Sequence, residues 1–420
     1  LAMGKGDFKQ AAAAFGAYAG EERWDSQAQM LQGLCLYFAK DFGGAVVAFD
    51  LSLSRVPRAD GFHWRANAKE NLGLPRESIE DQVRALEVDP RHVQAYVGMA
   101  RVKLLLNLAN DAIADLNKAI EIDPKYMRAY NGRGCVRGFR EQYDEAIADF
   151  TKVIELDPGF AMGYTNRGFA KIRKRQFESA LADCSKALEL DPKLVFALVH
   201  RGMARGELGF HAEAIVDYTR AVEIEPANPW VYANRAKSLH LTGRYEEAIA
   251  DCNKSIDLDP RGALAYFHRG QARLGMGLAD QAIPDFTKAM ELDPMLTDAV
   301  CNRGVAKMRK SLWDEALADF EKAIERDPTV AKYYSNRGAA KAEMGELDDA
   351  IVDFTKAIDM DARLPDGWSN RGKARQALGQ DAGALEDFAK ALAVAPPRWP
   401  EREDLEKRVR QLKDKTKSDY

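Results

Sequence analysis

A proline preceded by Asp or Glu stands at positions 90, 124, 158, 192, 226, 260, 294 and 328, always 34 residues apart. No insertion interrupts the series, and the frame reaches Ala362 and Pro396 forward and, with a one-residue slip, Pro57 backward. A chain of 420 residues would ordinarily suggest two or three globular domains. A fixed period overrides that expectation, because self-similar units stack on their neighbours and share one continuous core. Places within a repeat are numbered here so that this proline is the thirty-second.

The eighth place is Gly134, Gly168, Gly202, Gly270, Gly304, Gly338 and Gly372, with Ala100 and Ala236 as exceptions. The twentieth is Ala from Ala112 to Ala384, and the twenty-seventh is mostly Ala, as at Ala119, Ala187, Ala289 and Ala357. Places four and twenty-four are mostly large, as Tyr164 and Phe150 illustrate. Large and small apolar residues three and four apart predict two amphipathic helices per repeat. Gly in a helix costs ~1 kcal/mol, so the eighth place implies a close helix–helix approach that compensates. Acidic residues open the second helix (Asp144-Glu145, Glu246-Glu247, Asp348-Asp349), where the helix dipole favours them, and Lys118 through Lys390 lie toward its other end. The proline disfavours helix in the residue before it and ends the unit. Pro284 falls within the early turns of a second helix, where at most a local distortion is expected.

This combination of period, Gly, paired Ala and Pro resembles the tetratricopeptide repeat over residues 26–398. The resemblance implies an all-α fold, a right-handed α-solenoid superhelix whose first helices line the concave face. It divides the chain into a partial repeat at 1–25 (the end of a first helix plus a second helix), eleven tandem repeats at 26–398, and a capping helix at 399–420 carrying Trp399, Leu405, Val409 and Leu412. The chain opens at Leu1 inside a repeat, so further sequence upstream is expected.

Two further places carry polar signals. The seventh is Arg in every copy from Arg133 to Arg371, and the twenty-third is Asp in every copy from Asp115 to Asp387. The family's usual residues there are apolar, so the paired change predicts an ion-pair ladder between helices, with Lys171, Arg205, Arg273, Lys341 and Arg375 beside it. Such pairs fix register more than they add stability.

The sixth place holds Asn166, His200, Asn234, His268, Asn302, Asn336 and Asn370. With places four, eight and eleven buried, places two, five, six, nine, twelve and thirteen fall on the free side. The ladder resembles the one lining the tetratricopeptide superhelix of O-linked N-acetylglucosamine transferase, which implies a grip on the backbone of an extended peptide. An amide offers both donor and acceptor to a peptide unit. Each such bond nets ~0.5–1.5 kcal/mol against an association cost of ~4–15 kcal/mol, so apolar anchors are also required. Candidates are Phe196, Trp230, Phe267, Phe169 and Met203, concentrated between residues 161 and 296. Phe267 is expected as the exposed anchor, with Phe196 and Trp230 packed on the preceding repeat. The chaperone-binding members clamp a C-terminal carboxylate with Lys at the fifth place and Arg at the sixth. No repeat from 93 onward has either.

Composition narrows the ligand. A net charge of −4 gives no electrostatic reason for nucleic acid or an anionic membrane, and no apolar run approaches a ~20-residue span. Cys35, Cys135, Cys184, Cys252 and Cys301 are scattered without a C-x-x-C, which argues against a disulfide framework or zinc site and leans toward a reducing, cytoplasmic compartment. Cys184 and Cys252 occupy a core place. No nucleophile motif, phosphate loop or metal spacing occurs, so neither enzyme chemistry nor a cofactor is expected. The expected function is a scaffold that binds a peptide or protein segment in its groove. The alternatives are the substrate-recruiting or regulatory region of a larger enzyme, and self-assembly into a homo-oligomer.

Overall fold

The computed structural model describes residues 8–18, 25–396 and 399–418, and among them every regular element is an α-helix. The chain forms two compact units, residues 1–209 and 210–420. In the first lie α1 (Phe8–Tyr18), α2 (Asp25–Phe38), α3 (Phe42–Arg55), α4 (Ala59–Asn71), α5 (Pro75–Val88), α6 (Val93–Leu105), α7 (Ala109–Ile122), α8 (Met127–Phe139), α9 (Tyr143–Leu156), α10 (Ala161–Arg173), α11 (Phe177–Leu190) and α12 (Val195–Glu207). In the second lie α13 (His211–Ile224), α14 (Pro229–Leu241), α15 (Tyr245–Leu258), α16 (Ala263–Gly275), α17 (Ala279–Leu292), α18 (Thr297–Met308), α19 (Trp313–Arg326), α20 (Ala331–Glu343), α21 (Leu347–Met360), α22 (Pro365–Ala377), α23 (Asp381–Val394) and α24 (Arg402–Ser418). Each unit is a solenoid in which a helix packs on the next in sequence, and even-numbered helices also pack side by side, as α4 does on α6 and α14 on α16. At the chain end α24 lays Leu405 and Leu412 on Phe388 and Ala391. Helix α17 runs unbroken through Pro284.

The turns follow from the residues that make them. Between the two helices of a repeat the fifteenth place adopts positive φ, as at Gly243 (76°) and Ser311 (59°). There the next residue's N–H reaches back to the carbonyl of the eleventh place, as Leu312 does to Lys307 at 3.0 Å. Between repeats, Asp327 is held extended (φ −141°, ψ 91°) ahead of Pro328, and its Oδ1 accepts from the Thr329 backbone N–H at 2.9 Å. The fourth-place ring then fixes this loop. Tyr232, Tyr266 and Tyr334 each donate their hydroxyl to the carbonyl of the loop proline at 3.2–3.3 Å.

The eighth-place glycines make room for a ring. A Cβ on Gly134, Gly270, Gly304 or Gly372 would sit 2.5–2.7 Å from the twenty-fourth-place Phe of the partner helix. Where the eighth place is Ala, the partner is smaller: Leu116 opposite Ala100 and Cys252 opposite Ala236. Cys184 and Cys252 are fully buried, as core residues.

The ion-pair ladder is present and more elaborate than its sequence signature. Arg303 Nε and Nη2 donate to both oxygens of Asp319 at 3.0 and 2.6 Å, and Lys307 adds a second cation at 3.0 Å. Arg167 and Lys171 treat Asp183 alike in the first unit. The remaining Arg nitrogen reaches back one repeat to the twenty-fifth place. Arg303 meets the Thr287 hydroxyl at 3.2 Å, while that hydroxyl donates to the Ile283 carbonyl. The guanidinium also lies over the fourth-place ring, 5.7 Å from Tyr164 and 5.0 Å from Trp368 for Arg167 and Arg371. One arginine therefore ties its own second helix, its own first turn and the preceding repeat together, with nearly every polar group satisfied.

Candidate functional site

The even-numbered helices of each unit form one wall, and the residues proposed to bind lie on it. In the first unit Asn166, at half-burial on α10, donates Nδ2 to Asn131 Oδ1 at 3.0 Å. His200 is buried and stacks on Phe169 at 4.8 Å between ring centroids, with Phe196 further off at 6.4 Å. Met203 packs partly into the Ile172–Ala180–Ala204 cluster. In the second unit Asn234 and Asn302 direct Nδ2 to their i−4 carbonyls, Trp230 at 2.8 Å and Asp298 at 2.7 Å. Asn336 turns Nδ2 toward Cys301 Sγ at 3.2 Å, and Asn370 is half-buried. His268 is buried beside Gln271, with Nδ1 3.0 Å from Oε1. Asn234 and Asn336 thus keep the carbonyl oxygen and one N–H for a ligand, whereas Asn166 Nδ2 also reaches Cys135 Sγ at 3.9 Å. Burial pulls both His200 and His268 down to about 4, so both are neutral at physiological pH.

Two expectations about anchors reverse. Phe267 is not an exposed anchor: it is 8% exposed and packs with Phe286 and Leu274. Phe196, expected to be packed away, is 52% exposed. Trp230 is half-buried. The cause is the side-by-side packing of first helices, which turns the fifth place into the neighbour. Thr165, Val199, Ala233, Cys301 and Ser369 are all buried there. The free side of the wall is therefore narrower than the period alone implies, and it centres on places two, nine and thirteen.

A concavity on this wall lies outside the 161–296 stretch where anchors were sought. A cavity of about 830 Å³ opens across α2, α4, α6 and the start of α8, lined by Phe38, His63, Trp64, Asn67, Arg101 and Arg128 among others. Its aromatic side is ordered edge to face, with Trp64 5.3 Å from Tyr37 and 5.8 Å from Phe38. Its polar side is a directed chain of hydrogen bonds. Arg101 Nη2 donates to Asn67 Oδ1 (2.7 Å), Asn67 Nδ2 to His63 Nε2 (3.0 Å), and His63 Nδ1 to Gln82 Oε1 (3.0 Å). Burial, with lesser contributions from His92 and Arg101, pulls His63 down to about 4, which keeps it neutral, and its bonds to Gln82 and Asn67 set the tautomer. Gly98 forms part of the lining; a Cβ there would meet Gln82 Nε2 at 2.4 Å. A smaller cavity of about 380 Å³ follows on α8–α10, lined by Phe139, Tyr143, Asn166, Phe169 and Arg173. Cys135 borders it, and desolvation by the surrounding wall pushes its thiol up to about 11.

The sequence did hold a signal for the first cavity. At the sixth place Trp64, Gly98 and Gly132 stand where every later repeat, from Asn166 to Asn370, carries Asn or His. A ring followed by two absent side chains is what a recess requires.

Models of the tetratricopeptide repeat match residues 1–60, 93–126, 128–160, 163–194, 229–261, 267–331 and 331–363. Among solved structures, the chain is similar to the APC/C hetero-tetramer Cut9-Hcn1, at 16% identity over 97% of this chain and 88% of that one, with a TM-score of 0.57. It is also similar to the human IFIT1 dimer with PPP-AAAA, at 17% identity over 84% and 94%, TM-score 0.52. A third is a tetratricopeptide repeat protein from Parabacteroides merdae, at 21% identity over 60% and 98%, TM-score 0.49. At these identities the likeness concerns the fold. No curated protein matches the chain.

Proposed function

The chain belongs to the tetratricopeptide repeat family of protein-interaction scaffolds, and we propose that it is a non-catalytic receptor holding an extended protein segment against its first-helix wall. The observation that carries this reading is the cavity of about 830 Å³ on α2, α4, α6 and α8, continued by the smaller one on α8–α10. Concave, aromatic-lined recesses with a few fixed polar groups are where proteins hold ligands. Asn234 and Asn336 on the same wall keep an acceptor and a donor each, which suits the repeating polar groups of an extended backbone. Neutral, buried His200 and His268 serve as wall lining.

Site-specific crosslinking tests the reading. A benzophenone amino acid replaces exposed Gln94, on the cavity rim, or exposed Val83, on second helix α5. In lysate of the source cells, position 94 is expected to give a small set of discrete protein adducts that position 83 does not. Equal adducts from both positions, or none from 94, would sink the proposal.

A further inference from the structure

We propose that the cavity on α2–α8 selects segments in which an aromatic side chain is followed or preceded by carboxylates; this deepens the reading above and rests on it. The division of labour across the cavity is the argument. Aromatic surface lies on the α2 and α4 side, where Phe38 is 48% exposed and presents a ring beside Trp64. Cations lie on the α6 and α8 side. Arg128 is exposed with no partner among the described residues, while Arg101 is held by Glu70 and Asn67 at 2.6–3.0 Å with half of its side chain still open.

Several acceptors of the cavity are already engaged. Asp60 takes the His92 Nε2 proton at 2.9 Å, and Asn67 Oδ1 and Gln82 Oε1 lie in the chain that ends on His63. On the α6 and α8 side the charged groups left open are guanidinium N–H, on Arg128 and on the outer edge of Arg101. A ligand must therefore bring acceptors, and carboxylates give the strongest bonds to guanidinium. The ring comes from the other half: edge-to-face aromatic pairs stabilise a further ring slotted beside them.

Distance sets the spacing. Packed helices lie ~8–10 Å apart, and an extended chain advances ~3.3 Å per residue. A ring seated at Trp64 on α4 thus places a carboxylate ~3 residues away at Arg101 on α6, and another ~6 residues away at Arg128 on α8. A single strand of nucleic acid also combines flat rings with anions. The net charge of −4 gives no long-range attraction for a phosphate backbone.

The test is selection from a phage-displayed library of random dodecapeptides on the full chain, followed by fluorescence anisotropy of the selected peptides. The expected peptides carry Phe, Tyr or Trp with Asp or Glu three to six residues away. Arg128→Glu and Phe38→Ala are each expected to weaken their binding at least tenfold at unchanged helicity, and Arg128→Lys to restore most of it. Selected peptides without carboxylates, or binding indifferent to Arg128→Glu, would overturn this inference and leave the receptor reading standing. Failure to select any peptide would remove both. Tighter binding of a labelled oligoadenylate than of any peptide would overturn it in favour of nucleic acid.

Discussion

Replacing Gly304 by Ala sets two physical effects against each other. Helix propensity alone favours Ala by ~1 kcal/mol. Against it, the new Cβ would lie 2.7 Å from Phe320 Cε1 and 3.1 Å from Cδ1 and Cζ, well inside the ~3.5–4.0 Å of a relaxed carbon contact. Phe320 is fully buried among Ala316, Ala323, Tyr333 and Ala340, so its ring has nowhere to swing. Overpacking of this kind costs ~1–3 kcal/mol. Gly138 is the control: it is helical in α8, and a Cβ there meets nothing within 4 Å. Its replacement by Ala should express the propensity term alone. The difference between the two substitutions, ~1–3 kcal/mol, then isolates the collision. Because a repeat array opens locally, amide hydrogen exchange is the appropriate assay, read in α19 for one variant and α9 for the other. Gly304→Ala is expected to speed exchange and Gly138→Ala to slow it. Adding Phe320→Leu should relieve Gly304→Ala, because the chain already pairs Ala100 with Leu116. Equal slowing by both alanines would refute the packing account of the eighth place.

Asp319→Ala should destabilise its repeat by ~3–5 kcal/mol in the same exchange measurement, because it strands Arg303 and Lys307 at low exposure; a loss below ~1 kcal/mol would mean the ladder contributes nothing. Ser311→Gly should stabilise by ~0.5–1 kcal/mol, since Ser311 holds φ 59° where glycine carries no Cβ penalty; chemical denaturation monitored by circular dichroism checks the direction. His63, His200 and His268 have folded values near 4, below the ordinary 6.5, so their stabilising contribution is complete above pH 6.5 and is lost as pH falls toward 4. Unfolding free energy should therefore fall by up to ~1.4 kcal/mol per histidine per pH unit between pH 6.5 and 4.5, read as a falling thermal midpoint, and His268→Gln should flatten the curve; a flat wild-type profile would contradict this.

The helix pairs, the close helix approach at the eighth-place Gly and the Arg–Asp ladder were legible in the sequence because each is local to one repeat and written many times. Arg133 through Arg371 and Asp115 through Asp387 recur at fixed places, and the charge pattern allowed few other arrangements. What a single repeat could not show was the reach of Arg303 to Thr287 in the preceding one. The anchors were misjudged for a related reason. Whether Phe267 or Phe196 faces outward depends on how neighbouring first helices pack against each other, not on the phase of one helix. The cavity of the first unit lay furthest from view. Phe38, Trp64, Arg101 and Arg128 come from four helices, and the recess depends on side chains that are missing at Gly98 as much as on those present. Repeat-averaged reasoning weights what recurs, whereas this site is built from departures from the repeat.

The most direct test of the account is differential hydrogen exchange of the full chain with and without a library-selected peptide. The account predicts slowed exchange in α4, α6 and α8, with α5 and α7 unchanged and the effect abolished by Arg128→Glu. Protection confined to second helices, or no protection despite saturation, would contradict the claim that the first-helix wall is the binding surface.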